Sequence, residues 1–207
     1  MTLELKLLKR VVFTAGLAAF VAGLSLLAEL PIPRKAPELA FTLPGEGERL
    51  LSSYRGKVVA IEFILTTCPH CQAAARTMSK FQQEFGSRGF QALDLAINGV
   101  DDGRTPDQAN QLVSAFAQQY QAAFPVGWIA RDPMMQFVGF SMAERWVVPQ
   151  LVIIDRKGMI RYSTPPTGNT DYEAMMKEDT IRQHIEELLN ERAASVHRTA
   201  VAKKKTS

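Results

Sequence analysis

The chain has few of the residues that cross-link or ligate: two cysteines and three histidines among 207 residues. Two cysteines exclude a multi-bridge disulfide scaffold and leave a catalytic pair, a metal-binding pair or a lone clip. No four-ligand metal set is evident, because His70 is trapped between the cysteines while His184 and His197 lie near the end of the chain. Excess charge is also missing. Lys203, Lys204 and Lys205 alone supply the formal net charge of +3, so the remainder is near neutral and gives no case for nucleic acid. Internal repeats are absent too. What is left, 46% hydrophobic and 22% charged, suits one globular domain with appendages.

Charge is missing altogether from Val11 to Ala28, eighteen residues bounded by Arg10 and Glu29. As a helix at ~1.5 Å per residue this run is about 27 Å long, close to the roughly 30 Å hydrocarbon core of a bilayer. Lys6, Lys9 and Arg10 before it favour an inside N-terminus and an outside body, an asymmetry weakened by Arg34 and Lys35. Residues 1–30 therefore read as an N-terminal transmembrane anchor that holds the domain on the extracytoplasmic, periplasmic side. One alternative is a cleaved signal peptide with Gly23-Leu24-Ser25 as the small-x-small site, which leaves a soluble periplasmic protein. A buried cytosolic helix is the third. Three prolines in residues 31–37 make an extended linker, residues 38–192 form the domain, and residues 193–207 read as a basic disordered tail.

Within the domain, Phe41-Thr42-Leu43 and Leu50-Leu51 flank Gly45-Glu46-Gly47 as a hairpin. Val58 to Leu65 is an apolar, β-branched run broken only by Glu62, which suits a strand covered on both faces. The period then changes: Ala74, Met78, Phe81 and Phe85 predict a helix from about Pro69 to Phe85, stopping at Gly86. Phe90 to Ile97 is a second apolar strand. Thr105-Pro106-Asp107-Gln108 has the residues of a capping box with proline first in the helix, ahead of the stripe Ala109, Leu112, Val113, Phe116 and Tyr120. Asp132-Pro133 opens a short helix through Phe140. Val147 to Ile154 and Met159 to Ser163 make a hairpin closed by Asp155-Arg156-Lys157-Gly158. Thr170-Asp171-Tyr172-Glu173 reads as a further capping box, and Ile181, Ile185, Leu188 and Leu189 as the buried stripe of a closing helix. His184 on that stripe reads as a hydrogen-bonded core histidine.

The chemistry concentrates where the strand feeds the helix. Amide donors and the positive end of the first turn stabilise a thiolate on Cys68. Pro69 costs little there, since its missing N–H would have no intrahelical partner. His70 can add positive charge or a donor near the Cys68 sulfur. Cys71 lies almost one turn on, so a disulfide can close that turn, and Cys71 can resolve a mixed disulfide formed on Cys68. Glu62 is either a strand-edge carboxylate reaching solvent or a buried carboxyl that exchanges a proton with Cys71.

Glu62-Phe63, six and five positions before Cys68-Pro69-His70-Cys71, resembles the thioredoxin superfamily. The Cys-Pro-His-Cys set with that Glu is similar to the DsbA-type active site. The surrounding chain is similar to the TlpA/ResA group of extracytoplasmic thioredoxins through Ala36 to Pro44, Arg55 to Val59, Phe124-Pro125-Val126, Val148-Pro149 and Ile154 to Gly158. The resemblance implies an α/β thioredoxin-like fold: a central mixed sheet flanked by helices, an N-terminal hairpin and a central helical insertion. It implies a thiol–disulfide oxidoreductase with Cys68, Cys71, His70, Glu62 and Pro149 as catalytic residues, and Pro149 cis beside the disulfide. Pro69, Thr67 and Val148 are then the substrate groove, although Thr67 replaces the Trp common in that group and reduces the apolar platform. No cofactor is implied beyond the redox-active disulfide. Expected partners are cysteine-containing exported proteins and a membrane-bound redox partner, and the direction of electron flow stays open between reductase and oxidant.

Three other readings compete. A peroxiredoxin needs Thr three positions and Pro seven positions before its reactive Cys, where this chain has Leu65 and Ile61. A Sco-like metal-handling protein uses three residues between its cysteines, one more than here. A non-enzymatic binding module with a structural bridge is the last.

Overall fold

The computed structural model describes residues 30–141 and 145–205, with side chains through Glu191. The expected membrane segment Val11 to Ala28 lies outside the described residues, among which no helix is long and apolar enough to cross a membrane. The compact unit that begins at Pro31 has, in chain order, the strands Arg34–Lys35 (β1), Ala40–Leu43 (β2), Gly47–Leu50 (β3), Val58–Ile64 (β4), Phe90–Ala96 (β5), Val126–Trp128 (β6), Gln150–Ile154 (β7) and Met159–Ser163 (β8). Its helices are Pro69–Phe85 (α1), Pro106–Gln119 (α2), Arg131–Val138 (α3), Thr170–Met175 (α4) and Glu178–Lys205 (α5).

β4 and β5 are mostly apolar and are buried along their whole length, so they occupy the middle of the sheet. They run parallel, in register from Val58 beside Phe90 to Ile64 beside Ala96. β6 continues the parallel side, β7 and β8 add antiparallel strands on the other, and the hairpin β2–β3 closes one edge. The order is β1-β8-β7-β4-β5-β6-β2-β3, the mixed sheet that the resemblance implied.

Alternation along the strands splits the interior into two layers. Val58, Ala60, Ile64, Ala92 and Ala96 face Met78, Phe81 and Phe85 of α1, with α2 and the stripe Ile181, Ile185, Leu188 and Leu189 of α5 completing that layer. Val59, Ile61, Phe63, Leu93 and Leu95 face the hairpin and Met134, Phe137 and Val138 of α3. Glu62 and Asp94 share the parity of the first set, so both carboxyls are delivered to the layer that holds α1.

α1 spans Pro69–Phe85 and is capped by Gly86, as the sequence predicts, and a further short turn ends at Gly89, φ 91°. The local signals differ from the structure in four places. β7 starts at Gln150 rather than Val147, because Pro149 lacks the N–H that a strand between β4 and β8 would have to donate. α4 is capped one residue early, by Asn169, whose side chain accepts from the Tyr172 N–H at 2.9 Å. Part of the proline-rich linker pairs with the sheet, Arg34 opposite Ile160 and Lys35 opposite Met159, since the extended conformation that proline favours also suits an edge strand. α5 continues to Lys205 in place of the expected disordered tail; residues 193–205 are rich in Ala and Lys and contain no Gly or Pro to break it.

The capping box at α2 forms as the sequence predicts. The Thr105 hydroxyl accepts from the Gln108 N–H at 3.3 Å, and the Gln108 side chain accepts from the Thr105 N–H at 2.9 Å. Thr105→Ala removes the first bond and should lower stability by ~1 kcal/mol, read as a lower urea midpoint with unchanged slope.

Candidate active site

β4 ends at Ile64, and the turn Leu65 to Thr67 carries the chain to Cys68, the residue that caps α1. The Cys68 N–H donates to the Leu65 carbonyl at 3.0 Å, and its own carbonyl accepts from the Gln72 N–H at 3.1 Å. Asn98, buried just beyond β5, fixes this turn from the side. Its Oδ1 accepts from the Thr66 N–H at 3.2 Å, and its Nδ2 donates to Thr66 Oγ1 at 2.9 Å. Gln72 Nε2 adds a bond to the Thr66 carbonyl at 3.1 Å. Both cysteines are free thiols. Cys68 is half-buried and Cys71 has no exposed surface.

Across from Cys68 runs the loop before β7. The Val148–Pro149 peptide is cis, and the Val148 carbonyl lies 3.9 Å from Cys68 Sγ. Three side chains hold this loop. Gln150 Nε2 donates to the carbonyls of Val147 and Pro166 at 2.8 and 3.2 Å, Thr164 Oγ1 donates to Gln150 Oε1 at 2.6 Å, and the Tyr172 hydroxyl donates to the Pro149 carbonyl at 2.7 Å.

Beneath Cys71 the sheet contributes two acids. Glu62 is 1% exposed and Asp94, its neighbour in the β4–β5 register, is 0% exposed. Central placement removes the strand-edge reading of Glu62. As carboxylates, neither has a hydrogen-bond donor; with a proton between them, each is the other's partner. Loss of hydration pushes both above the ordinary carboxylate range, and for Asp94 the Glu62 charge adds to the rise. Burial also pushes the Cys71 thiol well up, partly offset by the Leu65 backbone, with smaller upward contributions from Cys68 and Glu62. An open cavity of ≈ 540 Å³ reaches Glu62 between α1, the Pro149 loop, α4 and α5, and is lined among others by His70, Ala74, Val148 and Tyr172.

The fold thus gathers Cys68, Cys71, Glu62, Val148 and Pro149 in one place, with Pro69 and Thr67 exposed beside Cys68. His70 is exposed and lines the cavity; the expected donor from His70 to Cys68 is not observed among the described residues, the sulfur's recorded partner being Val148. His184 also departs from expectation. It is half-buried and stacked 3.6 Å from the Tyr162 ring, but its buried Nδ1 has no partner, and burial lowers its proton affinity.

Sequence reasoning missed Asn98, Asp94, Gln150, Thr164 and Tyr172. Only Asp94 left a signal: a lone acid inside the run Phe90 to Ile97, as Glu62 is in Val58 to Leu65.

Residues 32–163 match the AhpC/TSA family, a span of more than half the chain. The Xenopus laevis protein named "Probable glutathione peroxidase 8-A" is 32% identical over 77 residues, 37% of this chain and 36% of that protein, so the chain spans about a third of the length of that relative. The thiol-disulfide oxidoreductase ResA of Geobacillus thermodenitrificans is 24% identical over 153 residues, 74% of this chain and 75% of that protein. Among solved structures, a thiol:disulfide interchange protein of Chlorobium tepidum superposes with TM-score 0.58 at 19% identity, covering 78% of this chain and 99% of that one. Another from Bacteroides gives TM-score 0.58 at 14% identity, with 78% and 91% covered. These likenesses establish a thioredoxin-like fold, and the match over residues 32–163 places the chain in the AhpC/TSA family.

Proposed function

We propose that the chain is a thiol–disulfide oxidoreductase in which Cys68 exchanges with cysteines of client proteins and Cys71 resolves the mixed disulfide. One observation carries this reading: Cys68 is half exposed at the start of α1 beside the Val148 carbonyl, while Cys71, one turn on, is wholly buried on the side of the sheet that presents Glu62. The helix N-terminus stabilises a thiolate on Cys68. That thiolate attacks a client disulfide; the client S–S bond breaks, a Cys68–client bond forms, and the second client sulfur leaves as a thiolate. Glu62 then takes the Cys71 proton, and the Cys71 sulfur displaces the client from Cys68. Two electrons pass to the client and the Cys68–Cys71 disulfide remains. The reverse sequence oxidises a client. An extended client segment is recognised by backbone pairing at Val148 beside Pro149, with Thr67 and Pro69 flanking it and the exposed His70 nearby.

The direction we propose is reduction, with electrons from a membrane-bound redox partner, supported by the TlpA-like blocks around the site. The reduction potential then lies nearer thioredoxin's, about −270 mV, than DsbA's, about −120 mV; equilibration with glutathione buffers measures it. Peroxidase activity is a second reading because of the family and the glutathione peroxidase relative. Leu65 and Ile61 stand where the peroxiredoxin pattern has Thr and Pro, so turnover of hydrogen peroxide should be negligible beside disulfide exchange.

Residues 1–30 anchor the domain outside the cytoplasmic membrane in this proposal, supported by Lys6, Lys9 and Arg10 before an uncharged run. Confinement to one surface raises encounters with a membrane partner without new contacts. Protease added outside spheroplasts should digest the domain, whereas soluble cytosolic protein would overturn the placement.

Cys71→Ser should trap client mixed disulfides on Cys68, and Cys68→Ser should trap none on Cys71, as seen on non-reducing gels. Equal trapping by both variants would contradict the assignment.

Glu62 and Asp94 also set a pH dependence. Their folded-state pKa values lie above the unfolded ones, so the folded chain holds more protons between the two. Stability from these groups is present at and below the ordinary carboxylate range and is lost as pH rises toward the raised values. Urea unfolding across that window should show the decline, and Glu62→Gln should flatten it.

A further inference from the structure

We infer that Asp94 and Glu62 work as one proton-holding pair beneath Cys71, in which Asp94 keeps Glu62 serviceable by donating its own proton to the Glu62 carboxylate. The inference rests on the proton exchange between Glu62 and Cys71 proposed above and adds to it a second residue.

Geometry carries it. The β4–β5 register puts the two acids side by side on adjacent parallel strands, neighbours whose side chains stand on the same face of the sheet. Both are buried, Asp94 fully and Glu62 at the inner end of the cavity, and among the described residues none of their four carboxyl oxygens has a donor from any other group. Two bare carboxylates in that position would repel each other without hydration. One proton removes a charge and creates the missing hydrogen bond in the same event. The other flank of Glu62 in the sheet is Leu151, which has nothing to donate.

Among the described residues no other group around the pair donates to it. From α1 come Cys68, His70 and Cys71; from α4, Tyr172 and Glu173; from α5, Glu178. The Tyr172 proton is committed to the Pro149 carbonyl at 2.7 Å. Glu173 and Glu178 are exposed, and Glu178 pairs with Lys80 at 3.4 Å. Among the described residues no lysine or arginine lines the cavity that reaches Glu62.

In the resolving step the pair starts with one proton and one negative charge. Cys71 gives its proton to Glu62 as its sulfur bonds to Cys68; the Cys68–client bond breaks, the client sulfur leaves with the electron pair, and the pair ends neutral with two protons. When a client thiolate instead opens the Cys68–Cys71 disulfide, the neutral pair returns a proton to the departing Cys71 sulfur. Asp94 is a positioning residue throughout. Without it the Glu62 carboxylate has no donor and Glu62 retains its proton, so it cannot accept one from Cys71.

Asp94→Asn keeps a donor to Glu62 but cannot hold the proton as an acid, and Asp94→Leu removes the donor. The full chain and these variants, with circular dichroism as a check of folding, should be followed by infrared titration of the carboxylic-acid C=O band and by stopped-flow resolution of a mixed disulfide with a fluorescent cysteine peptide. The wild type should keep acid C=O intensity above the ordinary carboxylate range, and Asp94→Asn should lose the Asp94 share of it. Resolution should slow on the order of 100-fold in Asp94→Leu with its pH inflection displaced upward, and stay within about threefold in Asp94→Asn. Infrared spectra identical in wild type and Asp94→Asn at every pH would overturn the pair, and that measurement stands even if Asp94→Leu fails to fold. If Glu62→Gln slows resolution while both Asp94 variants match the wild type, the pairing falls and the Glu62 reading survives. If Glu62→Gln resolves at the wild-type rate, both fall.

Discussion

A carboxyl group in the middle of a sheet covered on both faces has no water to solvate its charge, so it must hold a proton or find a donor. Two such groups lie side by side here, Glu62 on β4 and Asp94 on β5, in two adjacent strands that are buried along their whole length. Strand alternation sends both to the layer occupied by α1, and Cys68 caps the start of α1. In the proposed mechanism the sheet that stabilises the fold is therefore also the element that stores protons under the thiols. An apolar pair in the same places would carry no such cost, and the proton exchange proposed with Cys71 gives the acids a role that packing does not.

Storage beneath the helix is useful only if the two thiols face different surroundings. Cys68 and Cys71 are separated by one turn, yet the first is partly open and the second is sealed. That difference depends on two loops held by side chains remote in sequence. Asn98 grips the turn before Cys68 through Thr66, while Gln150, Thr164 and Tyr172 hold the loop that brings the Val148 carbonyl to 3.9 Å from the Cys68 sulfur. Each clamp satisfies backbone groups that the loops would otherwise leave unpaired near the core. The lip of the site is thus held by hydrogen bonds from three side chains, an arrangement compatible with the proposed recognition of an extended client backbone.

How much of this could be read from the residues follows the range of the forces involved. Pro69 to Phe85 was legible because proline, the apolar period and the preceding apolar strand all act within a few residues. The capping box at Thr105 was legible for the same reason. Gly86 marked the end of the helix correctly, but the short turn that follows it and closes at the left-handed Gly89 left no signal in the residues. Asn98 and Tyr172 were invisible, since their partners Thr66 and Pro149 are 32 and 23 positions away. Asp94 could have been found. An acid inside each of two apolar strands is one anomaly if taken singly and a pair once the strands are taken as parallel neighbours, but the register that joins positions 62 and 94 is a property of the sheet.

The family placement and the site geometry pull toward different chemistries. Reduction of a peroxide oxygen needs donors that polarise a small O–O bond next to the attacking sulfur, and the position three before Cys68 is Leu65, whose side chain has none. Exchange with a disulfide asks for something else: an attacking sulfur at a surface, a second sulfur within one turn, a place for the proton of the second, and a backbone edge to align the client. In the proposed mechanism Cys68, Cys71, the Glu62–Asp94 pair and Val148 supply these four in that order. On one fold the distinction lies in which atoms surround a single sulfur, and around Cys68 those atoms favour sulfur as the electrophile over oxygen.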